Sequence, residues 1–550
     1  MNYFKYLIMT IGFFSLWSCS TKKTSKETQK AKHVVVIGFD GLSPDGLKHA
    51  NTPTFDKLMQ EGAYSLQARA VLPTSSSTNW ASMIMGVGPE QHGITSNSWD
   101  KHNLVLPTVA QSEDFFFPSI FHLIDTQIEN AEIGVIYHWK EFGRLFEKNT
   151  VDYDVNSKTE DETAALASEY IKTKNPTFTF VHFDHIDHAG HEYGHGTDHY
   201  YESVEKADSL LAVLINTIKT SDIANETMVI VSSDHGGLGK GHGGESLQEV
   251  EIPFIIWGKS VKKDYKITAP VYQYDNAATV AHILNLKKPF AWIGRPVKHA
   301  FEGFNETVKY PVTERLEPPV ILPKSEGYKK AGGLFNNEVT VTIENLNTVT
   351  GDIFYTTDGS LPTKASKKYN TPFSIKENTV LKSAFYINGK ISSVVSEAFF
   401  RIKDEDYKAP IHYDIFYSGN DLANIPSIRN KKPDVSGSCF EMTSEEIKEK
   451  VKKHSTVRFT TNITITEEGK YTFYTRSDDG SKLWINDDEV VNNDGDHGVK
   501  ERKGSVHLKP GVYPLTLTWF NGEGGFWLDT YYKSNTINKQ MIPTTILSSN

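Results

Sequence analysis

The chain has 550 residues, 38% of them hydrophobic, which is enough to bury ordinary cores and too long for one compact domain. A formal net charge of -10 provides no basic field for gripping a polyanion, so general nucleic-acid binding is excluded, although a local site can still hold one phosphate. With two cysteines in all, a disulfide framework and a cysteine-rich metal site are excluded as well.

Residues 1–19 begin with Lys5 ahead of an apolar run from Tyr6 to Trp17, the charged start and short core of a secretory signal, too short for an ordinary membrane span. The run ends in Leu16-Trp17-Ser18-Cys19, which resembles the bacterial lipoprotein processing box and implies a lipid on Cys19, a membrane anchor and a place in the bacterial cell envelope. Residues 20–32 are polar and lysine-rich and suit a flexible tether. Cys439 then has no partner in the chain and is expected to be a small buried residue.

From His33 to Phe304, apolar strand-like runs alternate with helical stretches, the pattern of an α/β domain with a largely parallel sheet. Three runs, Val34 to Phe39, Phe178 to Phe183 and Met228 to Ser233, each lead directly into acids and histidines: Asp40, then Asp187 and His191, then Asp234, His235 and His242. Ligands of open α/β sheets gather at the carboxyl ends of strands, so these segments are expected to converge. Six such residues can hold two divalent ions, with Asp187, His191 and His242 around one and Asp40, Asp234 and His235 around the other. Imidazole and carboxylate ligands without thiolates favour zinc, with manganese as an alternative. The hydroxyl-rich turn Leu72-Pro73-Thr74-Ser75-Ser76-Ser77-Thr78-Asn79-Trp80 supplies a nucleophile, and a serine oxygen as further metal ligand. His182, His185, His188 and His92 are assigned supporting or structural roles, and Lys240 is as readily a solvated loop lysine as a phosphate partner.

Residues 305–317, with the prolines around them, form a linker, after which β-branched and aromatic runs separated by Gly, Asn and Asp read as all-β. Ile353 to Thr363 and Thr379 to Ala384 resemble the immunoglobulin-like module at the C-termini of chitobiase and β-hexosaminidase, placing that module at 318–402. Gly469 to Phe473, Ser477 to Ile485, Leu508 to Leu515 and Gly524 to Leu528 resemble the protective-antigen-type β-sandwich, placing it at 409–548. Some adhesins with that fold bind calcium and sugar through neighbouring aspartates, so the resemblance raises calcium at Asp478 and Asp479 and a glycan or cell-surface polymer as partner, with plain turn residues as the alternative.

Residues 33–304 resemble the alkaline phosphatase superfamily, and within it the nucleotide pyrophosphatase/phosphodiesterase branch. The residues that carry this are Gly38-Phe39-Asp40-Gly41, Pro73-Thr74-Ser75-Ser76 with Asn79, Gly86 to Gly93, Asp187 with His191, and Ser233-Asp234-His235-Gly236. The resemblance implies Ser76 as nucleophile, three residues after the proline, and Asn79 as a donor to a non-bridging phosphate oxygen, with Ser75 and Ser77 still open as nucleophiles. It also implies Asp40, Asp187, His191, Asp234 and His235 as metal ligands. Phosphodiesterase relatives usually carry threonine at the nucleophile and place the third histidine far downstream, whereas His242 follows Asp234 closely, as in phosphoethanolamine transferases and sulfatases. His242 is preferred over His282 and His299.

The expected activity is metal-dependent hydrolysis of a phosphate diester through a covalent phosphoseryl intermediate. Its rivals are a phosphomonoesterase, a phosphoethanolamine-type transferase, and a glycan-binding adhesin with a degenerate catalytic domain. A sulfatase is disfavoured because the turn lacks the Cys-x-Pro-x-Arg pattern.

Overall fold

The computed structural model describes residues 30–102, 104–112, 115–312, 315–323, 331–522 and 525–549. The signal, Cys19 and nearly all of the tether lie outside these residues.

The N-terminal domain is built on eight strands: β1 (His33–Phe39), β2 (Ala63–Arg69), β3 (Ile133–Tyr137), β4 (Tyr153–Asn156), β5 (Phe178–Phe183), β6 (Thr227–Ser232), β7 (Glu251–Gly258) and β8 (Tyr265–Lys266). Their order is β4-β3-β5-β1-β6-β7-β2-β8. The pairs from β4 to β6 are parallel, and β7 runs antiparallel to both β6 and β2. Because the sheet is covered on both sides, its central strands β1, β5 and β6 are buried at nearly every position rather than at alternate ones. Val34, Val36, Phe180 and Ile230 belong to the core on one face, with helices α1 (Ser76–Met85) and α5 (Asp275–Ile283). Val35, Ile37, Val181 and Val229 belong to the core on the other, with α2 (Glu160–Lys174) and α4 (Asp198–Thr220). Helix α3 (His185–Tyr193) follows β5 after a single residue.

β1 lies between β5 and β6, with Phe39 opposite Phe183 and Gly38 opposite Ser232. The three chains therefore leave the sheet side by side at one edge. Gly38 is required there by close packing: a Cβ would come within 2.5 Å of the Trp80 ring.

The C-terminal half is all-β. Residues 320–403 form two facing sheets, one ordered through Ala331–Asn336, Ser396–Lys403, Thr379–Ile387 and Asp352–Thr356, the other through Phe373–Ile375, Val339–Glu344 and Val320–Leu322. Residues 411–548 form a second sandwich of a seven-stranded and a four-stranded sheet around Trp519, Phe459, Phe473 and Leu517. Cys439 is buried in that core. The two β-modules meet through Val380, Phe399, Tyr474 and Tyr531 and through a buried ion pair, Arg401 Nε to Glu441 Oε1 at 2.5 Å and Nη2 to Oε2 at 2.9 Å. Among the described residues no helix is long and apolar enough to cross a membrane.

Candidate metal centre

Two groups of metal-ligating side chains stand at the carboxyl edge of the sheet, Asp187 with His191 and His242, and Asp40 with Asp234 and His235. Asp40 follows β1, and Asp234 and His235 lie just beyond β6. Asp187 and His191 are one helical turn apart on α3, a spacing that stacks both side chains on one face. In the first group His191 Nε2 lies 3.1 Å from Asp187 Oδ2 and 3.1 Å from His242 Nε2. In the second, His235 Nε2 lies 3.1 Å from Asp234 Oδ2 and 3.4 Å from Asp40 Oδ1. The groups adjoin: the His235 and His242 rings stack with centroids 3.8 Å apart.

The hydrogen bonds behind these residues fix which atoms face inward. Nδ1 of His235, His242 and His191 lies 2.8, 2.8 and 2.9 Å from the carbonyl oxygens of Gly236, Thr74 and Lys240 respectively. A carbonyl only accepts, so each Nδ1 carries a proton, and each ring in its neutral form turns an Nε2 lone pair toward the centre. The carboxylates are divided in the same way. Asp40 Oδ2 accepts from Trp80 Nε1 at 2.9 Å and faces His182 Nε2 at 3.3 Å, while Asp234 Oδ1 accepts from Gly41 N at 3.2 Å. That leaves Asp40 Oδ1, Asp187 Oδ1 and Asp234 Oδ2 buried with no hydrogen-bond partner. Buried, unpaired carboxylate oxygens facing imidazole lone pairs are costly unless a cation lies between them. The donor set thus fits divalent ions, and its nitrogen and oxygen atoms suit zinc.

The charges of the metal-free site say the same. Burial, then Asp40 and Asp187, push the Asp234 carboxyl well above the usual range. Burial would also raise Asp187, but His191 and His242 hold it well below. His191 resists the lowering effect of burial because Asp187 holds it up to about 10, whereas burial and His235 press His242 down to about 3.

Of the three serines in the hydroxyl turn, only Ser76 reaches the centre, with Oγ 3.2 Å from His235 Nε2. Ser75 Oγ pairs with Thr78 Oγ1 at 2.8 Å, and Ser77 Oγ accepts from Arg144 Nη2 at 3.3 Å. Ser76 opens α1 and lines a cavity of about 200 Å³ together with Asn97, Trp139, Asp184, Asp187 and His242. Thr74 braces the turn, donating to Gly244 O at 2.7 Å and accepting from Gly243 N at 3.0 Å.

Asn79 does not face the cavity. It is fully buried, its Oδ1 accepts from Val71 N at 2.7 Å, and its Nδ2 meets the carbonyls of Val71, Pro73 and Ser75. Every polar atom is spent on tying down the turn, so the expected phosphate contact is corrected. The cavity amide is Asn97, whose Oδ1 accepts from Ser77 N at 2.8 Å. Nothing in the run Thr95-Ser96-Asn97-Ser98 distinguishes it from an ordinary loop asparagine. His282 and His299 pack against Phe301 and Phe304, outside both ligand groups. His92 bonds Ser82 and Ile94, and Lys240 Nζ lies over the Phe526 ring rather than in the cavity. Asp479 accepts from His497 N and Gly522 N, and neither it nor Asp478 belongs to a ligand group among the described residues.

Residues 34–115 and 132–239 match the family model described as type I phosphodiesterase / nucleotide pyrophosphatase. Residues 330–397 match the chitobiase/beta-hexosaminidase C-terminal domain, and 411–545 the PA14 domain. The chain is 23% identical over 241 residues to Bis(5'-adenosyl)-triphosphatase ENPP4 of Bos taurus, covering 42% of this chain and 52% of that one. With human ectonucleotide pyrophosphatase/phosphodiesterase family member 5 it shares 22% over 340 residues, 59% of this chain and 67% of the relative. The chain spans about half the length of the first of these relatives. Among solved structures, an inactive murine ectonucleotide pyrophosphatase/phosphodiesterase 5 in complex with AMP is 18% identical with a TM-score of 0.41, covering 47% of this chain and 96% of that one. The chain therefore joins a type I phosphodiesterase/nucleotide pyrophosphatase-type domain to a chitobiase/β-hexosaminidase C-terminal domain and a PA14 domain.

Proposed function

We propose that this protein is a metal-dependent phosphoric ester hydrolase that cleaves phosphate diesters, with Ser76 as nucleophile. The observation that carries the reading is the place of Ser76 Oγ, 3.2 Å from His235 Nε2 at the boundary of two ligand groups whose inward atoms are unpaired. Asp187, His191 and His242 would hold one divalent ion, zinc by their donor atoms, and Asp40, Asp234 and His235 the other, with Ser76 Oγ as further ligand. When bound, the pair lowers the pKa of the attacking hydroxyl and offsets the charge on the leaving and non-bridging oxygens.

Ser76 Oγ forms a bond to phosphorus as the bond to the leaving oxygen breaks, and the serine proton passes to that oxygen, which departs as the alcohol. Water then attacks the phosphoseryl group, its oxygen joins phosphorus, and Ser76 leaves with its proton restored. Asn97, held by its Oδ1 to Ser77 N, has Nδ2 available to donate to a non-bridging oxygen. The described residues lining the cavity include no Lys or Arg, which suits the single charge of a diester better than the two of a monoester. The names of the two relatives, a bis(5'-adenosyl)-triphosphatase and an ectonucleotide pyrophosphatase/phosphodiesterase, support nucleotide pyrophosphates and diesters as one substrate class. The C-terminal modules would hold the enzyme near a glycan or surface polymer, and lipidation at Cys19 would fix it to the cell envelope.

Zinc-loaded protein should hydrolyse bis-p-nitrophenyl phosphate with a higher kcat/KM than p-nitrophenyl phosphate, and Ser76→Ala should lower the former by at least about 10³-fold. A clear preference for the monoester would replace the diester assignment, and full metal-dependent activity in Ser76→Ala would remove the nucleophile.

A further inference from the structure

The hairpin that carries His242 does not face solvent; the C-terminal sandwich covers it. The hairpin is pinned by a bridge between Leu238 and Gly241, with Leu238 N donating to Gly241 O at 2.9 Å. Leu238 packs into an apolar contact with Val499 and Trp527 of the sandwich. Three glycines permit the approach. A Cβ on Gly241 would come within 2.7 Å of Val499 Cγ2, and one on Gly498 within 2.7 Å of the His242 carbonyl oxygen. A Cβ on Gly525 would overlap Lys240 O and lie 3.0 Å from His191 Nδ1. Those last two atoms are the partners of the hydrogen bond that orients His191.

We propose that the sandwich is a structural part of the metal centre: its residues Gly498 and Gly525 clamp the 238–242 hairpin and so hold His242 and His191 in ligating positions. The inference rests on the two-metal reading above. Its physical basis is that a ligating histidine is only as well placed as the partner of its other ring nitrogen. For His191 that partner is the Lys240 carbonyl, which belongs to the clamped hairpin. For His242 the partner, Thr74 O, lies in the catalytic domain, so the sandwich acts on it through the backbone at the His242 carbonyl. Asp40, Asp234 and His235 take their supporting bonds from Trp80, Gly41 and Gly236, all within the catalytic domain. The clamp therefore distinguishes the two ions. Gly525 and Gly498 are positioning residues for the first and have no part in the second.

The test is a titration of chelator-stripped full-length protein with zinc, and separately with cobalt(II) read by its d–d absorption. Wild type should take two equivalents. Neither Gly525 nor Gly498 has a positive φ, so larger residues meet no backbone penalty there. Gly525→Val and Gly498→Ala should each keep one tight equivalent and bind the other about 10- to 100-fold more weakly, with an altered cobalt spectrum for that equivalent alone. Gly419→Ala, a sandwich site with nothing within 4 Å of its Cβ, should match wild type. If Gly525→Val does not fold, as judged by near-UV circular dichroism, Gly498→Ala carries the test. Folded variants that bind both equivalents as tightly as wild type would overturn the clamp while leaving the two-metal reading intact. A wild type that takes up no zinc would overturn both.

Discussion

Asn79 and Asn97 show how one residue type serves two ends beside the same hydroxyl turn. Asn79→Ala removes an acceptor and a donor that tie four backbone groups of the turn together, so it should lower stability by about 2 kcal/mol while leaving kcat of the folded fraction little changed. Asn97→Ala should do the reverse, leaving Tm nearly unchanged and lowering kcat about 10²-fold, a loss typical of an oxyanion donor. Denaturant melts and steady-state kinetics on the same preparations separate the two. His191 predicts a pH dependence. In the metal-free protein it holds a proton up to about pH 10, and ligation requires that proton to leave. Apparent zinc affinity should therefore rise about tenfold per pH unit between pH 6.5 and 8.5, measured by competition with a calibrated chelator. A flat profile would show that His191 is not a ligand. The candidate ligand residues were legible in the sequence because acids and histidines directly after apolar runs are chemically conspicuous. Asn97 was not, because a loop asparagine acquires its role from where the chain folds back, which local composition does not encode.

At the scale of elements, β1, β5 and β6 were readable as continuous apolar runs because both of their faces are buried, and their common edge follows from parallel pairing. The run Ile252 to Trp257 in β7 is equally apolar, but its antiparallel direction is not legible, since direction within a sheet is set by the connections rather than by the strand's own residues. Helix α1 is the element on which the site leans: Trp80 packs under Gly38 and donates to Asp40. Gly38→Ala would force that ring away, with an expected cost of about 1–3 kcal/mol from overpacking. The same displacement breaks the bond to Asp40, so loss of the zinc equivalent held by Asp40, Asp234 and His235 should accompany the lower stability, and calorimetry together with metal analysis would detect both.

For the whole molecule, the three modules are coupled rather than strung on linkers. The ion pair between Arg401 and Glu441 is buried and doubly hydrogen-bonded where the two β-modules meet. Glu441→Ala leaves a buried guanidinium uncompensated and should cost about 3–5 kcal/mol in denaturant unfolding, whereas replacing both partners by Met and Leu should recover most of it. A cost below 1 kcal/mol would mean that the modules unfold independently of this contact. The modules were recognisable from their strand patterns, but the contact of the sandwich with the His242 hairpin was not, because it depends on glycines that matter for the side chain they lack.

The order β5-β1-β6 has a consequence for assembly. The strand that precedes Asp40 emerges first, yet it becomes central only when β5 and β6 have closed on either side of it, both across long stretches of chain. Such non-local closure is slow and all-or-none, so no early segment of the chain can form the centre by itself. A nascent chain ending before Thr227 has Asp40, Asp187 and His191 but not Asp234, His235 or His242. On the proposed function, the hydrolase would be inert until the chain has passed His242, acquiring activity and its metal together only after most of the catalytic domain is made.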